Sequence, residues 1–148
     1  MNGRTNQVSI ALLLAIVTAL LATMWFLFFE PPWLTYPVQP FPIPIKSVQQ
    51  GDVIPMRVVR CNNSGVRRTY SIARSIVDEN TNTAYALPDF LTWIDPGCQN
   101  TVSVAHRIPV TLPPGNYRVI GLSEIHGALR STHVEWRSEP FAVEEFRP

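Results

Sequence analysis

The pattern of apolar and polar positions divides the chain into three parts. The first part is an uncharged apolar run of 22 residues, Val8–Phe29, which lies between two short polar segments. As an α-helix this run would be roughly 33 Å long, which matches the hydrocarbon core of a bilayer. A helix also satisfies its own backbone hydrogen bonds in lipid. The pattern therefore predicts a transmembrane helix over residues 8–29.

A cleaved secretory signal is the alternative interpretation of this run. The apolar region of such a signal is usually about 7–15 residues long and ends at a small-x-small site. Here the run is longer and ends in bulky side chains, from Met24 to Phe29. Cleavage after Ala22 would place Leu20 where a small residue is preferred. We therefore expect a retained signal anchor.

Charges on either side of the run predict its orientation. Arg4 precedes the run, Glu30 follows it, and the next cation is Lys46. Because positive charge favours the cytoplasmic side, residues 1–7 are predicted to be a cytoplasmic stub. The chain would then be a single-pass membrane protein whose C-terminal domain is periplasmic or extracellular.

Two sets of residues predict contacts of this helix. Small side chains recur every four positions and would let another helix approach closely. These residues are Ala11, Ala15, Ala19 and Thr23. The expected partners are membrane lipid and another membrane protein or a second copy of the chain, although alanine is also simply common in membrane helices. Aromatic residues cluster near the outer end and are predicted to form a membrane-interface belt. They are Trp25, Trp33 and Tyr36.

The second part of the chain, residues 30–46, is rich in proline. The segment 31–44 holds six of the 14 prolines, which excludes a helix or a central strand and favours extended polyproline II. Its 14 residues predict a stiff linker of at most roughly 40 Å. The apolar residues within it are too numerous for an ordinary solvated linker. We expect them to lie on the headgroup layer, or against the domain or a partner.

The third part, residues 47–148, consists of short β-type runs separated by turn residues such as Asn62-Asn63-Ser64-Gly65 and Pro113-Pro114-Gly115-Asn116. Seven short strands at this spacing predict an all-β, antiparallel sandwich. The predicted strands are Val53–Cys61, Arg68–Val77, Thr83–Leu87, Thr101–Val110, Tyr117–Ile125, His133–Trp136 and Phe141–Val143. Apolar residues alternate along several of them, as expected for strands with one buried face.

Two segments of this part resemble a known class of domain. Leu112–Val119 resembles the turn and penultimate strand of immunoglobulin-like and fibronectin-III-like domains, in which Tyr117 would be the tyrosine corner. The segment from Ser138 to Val143 resembles the last strand of such modules. The resemblance implies an immunoglobulin-like sandwich over residues 47–148. Unlike an antibody domain, the chain has Val119 where a cysteine would follow the tyrosine.

The two cysteines, Cys61 and Cys98, belong to no CxxC pair or zinc spacing. They could be buried free thiols or one disulfide. The predicted topology places them in an oxidising compartment, so a disulfide is the favoured interpretation. Such a bridge would link a strand end to a loop rather than join two sheets.

The sequence contains no recognisable catalytic, nucleotide-binding or calcium-binding motif, so we expect a non-enzyme without a cofactor. His126 and His133 would flank one hairpin and are the only candidate metal pair, although exposed histidines are the simpler interpretation. Arg74 and His106 fall on apolar strand faces. We expect them to have satisfied polar partners rather than to be ligands.

The net charge is +1, and residues 30–148 carry eleven positive and eleven negative side chains. This balance predicts no nucleic-acid partner. Four arginines gather around one predicted hairpin and form a possible partner surface for anionic headgroups or an acidic protein. They are Arg57, Arg60, Arg67 and Arg68.

These features favour a membrane-anchored, non-catalytic interaction or scaffold module, an accessory or structural subunit of a larger envelope or membrane complex. One alternative is an anchored metal-handling accessory or enzyme that uses His126 and His133. Another is a phage or viral envelope or virion component. A sandwich fold alone cannot separate these classes, because sandwiches have many functions.

Overall fold

The computed structural model describes residues 2–29, 31–102, 106–127 and 130–145. One long helix, α1 (Asn2–Phe28), precedes a mostly β region. The strands within the described residues are β1 (Leu34–Thr35), β2 (Ser47–Gln49), β3 (Val53–Ile54), β4 (Arg57–Asn62), β5 (Arg68–Asp78), β6 (Ala84–Ile94), β7 (Gly97–Val102), β8 (His106–Arg107), β9 (Gly115–His126), β10 (Ser131–Arg137) and β11 (Phe141–Glu144).

Helix α1 is formed by the apolar run. Its segment Gln7–Phe28 has a mean hydropathy of 2.5 and is long and apolar enough to span a membrane. None of this segment is buried against the rest of the chain. The hydroxyl groups of Thr18 and Thr23 each donate to the carbonyl oxygen four residues earlier, at 2.9 Å. The helix therefore satisfies these two polar groups internally, as a lipid environment requires.

A six-stranded sheet forms the larger part of the β region. Its order is β2-β11-β9-β5-β6, and β10 also pairs with β9. Strand β9 is central, because it pairs with β5 on one side and with β10 and β11 on the other. All of these pairs are antiparallel except β11–β2, which is parallel. The sheet is open, with β6 at one edge.

A three-stranded sheet, β1-β4-β7, and the short pair β3–β8 complete the β region. Side chains of both larger sheets join one buried cluster, which includes Leu34 and Val58 from the smaller sheet and Tyr70 and Tyr117 from the larger one. Trp136 of β10 packs over Gly121 of β9, where an added Cβ atom would lie 2.0 Å from the indole ring. The glycine thus makes room for the largest aromatic side chain in this part of the core.

The Pro-rich segment is not the spacer that its composition predicts. Leu34–Thr35 pairs with β4, and Leu34, Phe41 and Ile43 are buried in the core. The backbone N–H of Phe41 also donates to the carbonyl oxygen of Arg137 at 2.8 Å. Proline is compatible with an extended edge segment, and the apolar side chains between the prolines bury against the domain. The prediction of a stiff linker over residues 30–46 is therefore wrong, and the alternative of packing against the domain holds.

Three strand predictions also differ from the structure. The predicted strand Val53–Cys61 is divided into β3 and β4, which belong to different sheets. The predicted strand Thr83–Leu87 is observed as β6, which continues past Pro88 to Ile94. Proline is tolerated there because β6 is an edge strand. The predicted strand Thr101–Val110 is replaced by β7, which begins at Gly97, and by the separate β8. Val104, within that predicted strand, lies outside the described residues.

Candidate functional site

The end of the β region next to α1 is organised around Trp33. The indole N–H of Trp33 donates to the carbonyl oxygen of His126 at 3.1 Å, and the N–H of Asn63 donates to the carbonyl oxygen of Trp33 at 2.7 Å. The side-chain amide of Asn62 donates to the carbonyl oxygen of Ile94 at 3.1 Å. The turns after β4 and β9 therefore meet at Trp33, and Asn62 joins the end of β6 to them. We call this part of the molecule the proximal end.

Arginine and tryptophan side chains stack at the proximal end. The guanidinium of Arg67 lies 5.0 Å from the ring centre of Trp93 and 3.3 Å from a carboxylate oxygen of Asp95. The guanidinium of Arg68 lies 6.0 Å from the ring centre of Trp33. Together with His126, Arg67, Arg68 and Trp93 line an open cavity of about 550 Å³. This end can therefore offer both cations and an aromatic surface to a ligand or partner.

The four arginines predicted as one surface do not form one. Arg57 and Arg60 belong to β4, where Arg57 is exposed and Arg60 points to the opposite face. Arg60 donates to the hydroxyl group of Tyr70 at 2.6 Å and lines a cleft of about 500 Å³ between the two larger sheets. Only Arg67 and Arg68 lie together at the proximal end. The prediction of a single basic surface is wrong, because neighbouring positions on a strand alternate between its faces.

Two of the three aromatic residues predicted to form a membrane-interface belt belong to the domain core. Trp25 is exposed on α1, where it stacks on Phe29. Trp33 and Tyr36, however, are only 9% exposed and belong to the domain core. The hydroxyl groups of Tyr36 and Ser123 share a hydrogen bond of 2.7 Å. Neither core aromatic is available to form a belt in lipid headgroups.

The residues of the predicted helix-packing face lie outside the domain. Ala11, Ala15, Ala19 and Thr23 are exposed along α1. The described structure contains one chain, so a contact of this face with another helix stays a prediction.

The two cysteines are direct partners on neighbouring strands. Cys61 of β4 lies opposite Cys98 of β7, and the structure joins them by a disulfide across the smaller sheet. Cys61 is buried, whereas Cys98 is exposed. The bridge holds β7 to β4 one residue before the proximal end, where Asn62 pairs with Gly97.

Arg74 and His106 meet in a buried polar contact that the sequence does not predict. Nη1 of Arg74 donates to Nδ1 of His106 over 2.7 Å, and Nη2 donates to the carbonyl oxygen of Pro88. The guanidinium also lies 4.3 Å from the ring centre of Phe90. Burial and the nearby Arg74 lower the pKa of His106 to about 4. Burial also lowers the pKa of Arg74, against the opposing charge of Asp89. His106 is therefore neutral at pH 7 and accepts a hydrogen bond from a cation.

The candidate metal pair, His126 and His133, gains no third ligand among the residues that the structure describes. Nδ1 of His126 is 2.7 Å from the hydroxyl oxygen of Ser131, and His133 lies opposite Glu124 on β9. Within the described residues, no group of three or more His, Cys, Asp or Glu side chains could hold a metal ion. Nothing in this geometry favours the metal-handling alternative.

Exposed apolar residues on the outer face of the six-stranded sheet were missed by the sequence reasoning. Leu91 and Trp93 on edge strand β6 are 72% and 56% exposed, and Leu122 on β9 is 41% exposed. Their strand neighbours Phe90 and Thr92 line the cleft between the sheets, so Leu91 and Trp93 point outward. Extending the predicted strand past Pro88 would have revealed this alternation. We call Leu91, Trp93 and Leu122 the outer apolar patch.

Comparisons with known proteins give a likeness at the level of structure. No protein-family model matches the chain, and no curated protein matches it. A similar solved structure is the Pseudomonas fluorescens alkylpurine DNA glycosylase AlkC bound to DNA containing an abasic site analog. The likeness covers 78% of this chain and 31% of that chain, with 12% sequence identity and a TM-score of 0.47. The chain thus spans less than a third of the protein that it resembles.

This likeness corrects the partner prediction, which excluded nucleic acid. The prediction rested on charge balance alone, whereas the similar structure is of a protein bound to DNA. A TM-score of 0.47 at 12% identity does not establish nucleic-acid binding for this chain either. The balanced charge of residues 30–148 is therefore insufficient to exclude this class of partner.

Proposed function

We propose that the chain is a membrane-anchored, non-catalytic interaction module. In this proposal α1 spans the bilayer with its N-terminus in the cytoplasm, and the β region lies on the periplasmic or extracellular side. The observation that supports the proposal most strongly is the contrast between the apolar residues of α1 and those of the β region. The apolar side chains of Gln7–Phe28 stay exposed, whereas most of the large apolar side chains from Trp33 onward enter the domain core. Exposure of so long an apolar helix to water would be unfavourable.

The fold of the displayed region is proposed to be an immunoglobulin-like sandwich. The hydroxyl group of Tyr117 donates to the carbonyl oxygen of Pro113 at 2.7 Å, four residues earlier in the chain. This is the backward hydrogen bond that characterises a tyrosine corner. The buried cluster shared by the two larger sheets also supports a sandwich. Domains of this architecture often present one sheet face to a partner.

The outer apolar patch is the proposed contact surface for a protein subunit of a larger envelope or membrane complex. Apolar side chains on the outer face of a sheet, next to an unpaired edge strand, are unfavourable in water unless they are covered. Leu91 and Trp93 stand on that edge, and aromatic residues are common at the centres of protein interfaces. The patch therefore supports an interaction role more directly than any catalytic one.

Anchoring can be tested on native membranes. We expect the protein to resist carbonate extraction and to retain its first residues in the mature chain, as mass spectrometry would show. A mature protein that begins near residue 23 and is released by carbonate would contradict the anchoring proposal.

The contact surface needs a separate experiment with a matched control. Leu91 and Val110 are both 72% exposed, but Val110 lies away from the outer apolar patch, beside Gly51. After purification in mild detergent, Leu91→Glu should lose a stoichiometric protein partner that Val110→Glu retains. Equal retention by both variants, or a monomer without a partner in the unsubstituted protein, would contradict this part of the proposal.

A further inference from the structure

The chain between α1 and the domain core is very short. The N–H of Phe29 still donates to the carbonyl oxygen of Trp25, so the helical bonding extends to this residue. Trp33 is already buried in the core. Four steps of 3.8 Å separate the two residues, which allows a span of at most about 15 Å. The tether therefore keeps Trp33 close to the point where the chain leaves the helix.

The proximal end lies beside this tether. Pro31 and Pro32 line a cavity of about 530 Å³ together with Asn63, Ser64 and Gly127, which belong to the turns after β4 and β9. The headgroup layer on each side of a bilayer is roughly 5–8 Å thick. With α1 in lipid, these turns cannot move far from that layer, whatever angle the domain adopts.

The proximal end has the chemistry of a headgroup-binding surface. Arg68 and Arg130 are exposed and form no ion pair with a carboxylate within the described parts of the chain. Arg67 pairs with Asp95 but also stacks on Trp93, which is 56% exposed. Guanidinium groups bind phosphate oxygens well, and tryptophan prefers the boundary between headgroups and acyl chains.

Charge is distributed unequally along the domain. The opposite end, where β2, β11 and the turn after β5 meet, carries a group of acidic side chains. These include Asp52, Asp78, Glu79, Glu139 and Glu144. The cations Lys46 and Arg118 there are held in ion pairs with Glu139 and Glu79. Arg68 and Arg130 therefore meet no carboxylate at the end nearest the membrane, and within the described residues other exposed arginines without an ion pair, such as Arg57 and Arg137, lie elsewhere on the domain.

We propose that the proximal end docks on the phosphate headgroups of the bilayer that holds α1. Arg68 and Arg130 bind lipid phosphates, and Trp93 enters the interface beside Arg67. The domain is then held against the membrane in one orientation, which leaves Leu91 and Leu122 of the outer apolar patch for a protein partner. This inference rests on the proposed anchoring of α1.

Tryptophan quenching in lipid nanodiscs tests this contact on the full chain. The discs contain phosphatidylcholine and phosphatidylglycerol, with a nitroxide quencher attached to some headgroups. A Trp25→Phe background removes the tryptophan of α1. The nitroxide should quench part of the tryptophan fluorescence. We expect this quenching to fall by more than one third when Trp93→Phe is added to the Trp25→Phe background. The pair Arg68→Gln and Arg130→Gln should also weaken it at least twofold, whereas Arg57→Gln with Arg137→Gln, both exposed elsewhere, should leave it unchanged.

The outcomes separate this inference from the anchoring proposal. Protein that fails to co-purify with the discs would overturn the anchoring proposal and the docking together. Protein that inserts, but whose quenching is unaffected by Trp93→Phe or equally reduced by both arginine pairs, would overturn the docking alone. Circular dichroism of each variant shows whether the fold is retained. A folded Arg68→Gln, Arg130→Gln variant with undiminished quenching would likewise overturn the docking.

Discussion

The indole N–H of Trp33 donates a hydrogen bond to the carbonyl oxygen of His126, 93 residues later in the chain, over 3.1 Å. This contact joins the Pro-rich segment to the end of the central strand β9. On its other side, the carbonyl oxygen of Trp33 accepts from the N–H of Asn63 at 2.7 Å. The segment that leaves α1 is therefore part of the folding unit rather than a connection to it.

Substitution of Trp33 tests this role of the Pro-rich segment. We expect Trp33→Ala to lower the free energy of unfolding by about 3–5 kcal/mol, because a buried aromatic side chain and its cavity-filling contacts are lost. Urea denaturation of the full chain in detergent, followed by near-ultraviolet circular dichroism, measures the change. Val38→Ala is a control in the same segment, since Val38 is 45% exposed. It should change stability by less than about 0.5 kcal/mol. Equal small effects would restore the spacer interpretation.

Removal of the disulfide should destabilise the domain, while the proximal end keeps its structure. We expect Cys61→Ala with Cys98→Ser to lower the free energy of unfolding by roughly 2–4 kcal/mol, since the unfolded chain loses a closed loop. Alanine suits the buried position and serine the exposed one. Denaturant unfolding with and without dithiothreitol measures the effect. The reductant should destabilise the unsubstituted protein and leave the double variant unaffected. An unsubstituted protein with two titratable thiols would contradict the bridge.

The close approach of Gly121 and Trp136 gives a third prediction. An added Cβ atom at Gly121 would lie 2.0 Å from the indole ring, so Gly121→Ala must displace Trp136 from the core. We expect a loss of about 1–3 kcal/mol in the free energy of unfolding, as is typical of overpacking. In a Trp136→Leu background the same substitution should cost less, because the smaller side chain leaves room. An identical cost in both backgrounds would show that the two residues are not coupled.

Much of the fold follows from local sequence signals. The long apolar run predicts α1, and the turn residues predict most of the strand ends. The Pro-rich segment fails this reasoning, because proline reports on local backbone preference and not on distant contacts. The partner of Trp33 is His126, and that of Phe41 is Arg137. No local pattern contains those pairings.

The candidate surfaces were only partly predictable for a related reason. Arg57 and Arg60 are three residues apart, and the period-two geometry of β4 places residues at an odd separation on opposite faces. Arg130 was not predicted to join Arg67 and Arg68, because the turn after β9 reaches the proximal end only through the sheet pairing. The sequence identifies these side chains as cations but does not place them in space. The missing information was the register of the strands.

Burial of His106 predicts a stability that depends on pH. The side chain is 2% exposed, and its pKa is lowered to about 4, against 6.5 for an unperturbed histidine. Between these values the unfolded chain binds a proton that the folded chain does not. Neutral His106 therefore contributes stability in full above about pH 6.5, and this stability is lost as the pH falls through about 4. The loss could reach roughly 3 kcal/mol, since each pKa unit corresponds to about 1.4 kcal/mol.

A variant that cannot titrate isolates this contribution from that of the carboxylates. His106→Gln keeps an oxygen that can accept from Arg74, so it should fold while losing the histidine part of the pH dependence. We expect the free energy of unfolding, measured with urea between pH 7 and pH 4.5, to fall less steeply for His106→Gln than for the unsubstituted protein. His133→Gln, at an exposed position on β10, should keep the original slope. If all three slopes are equal, the proton equilibrium of His106 is the same in both states, and its contact with Arg74 does not hold the ring neutral.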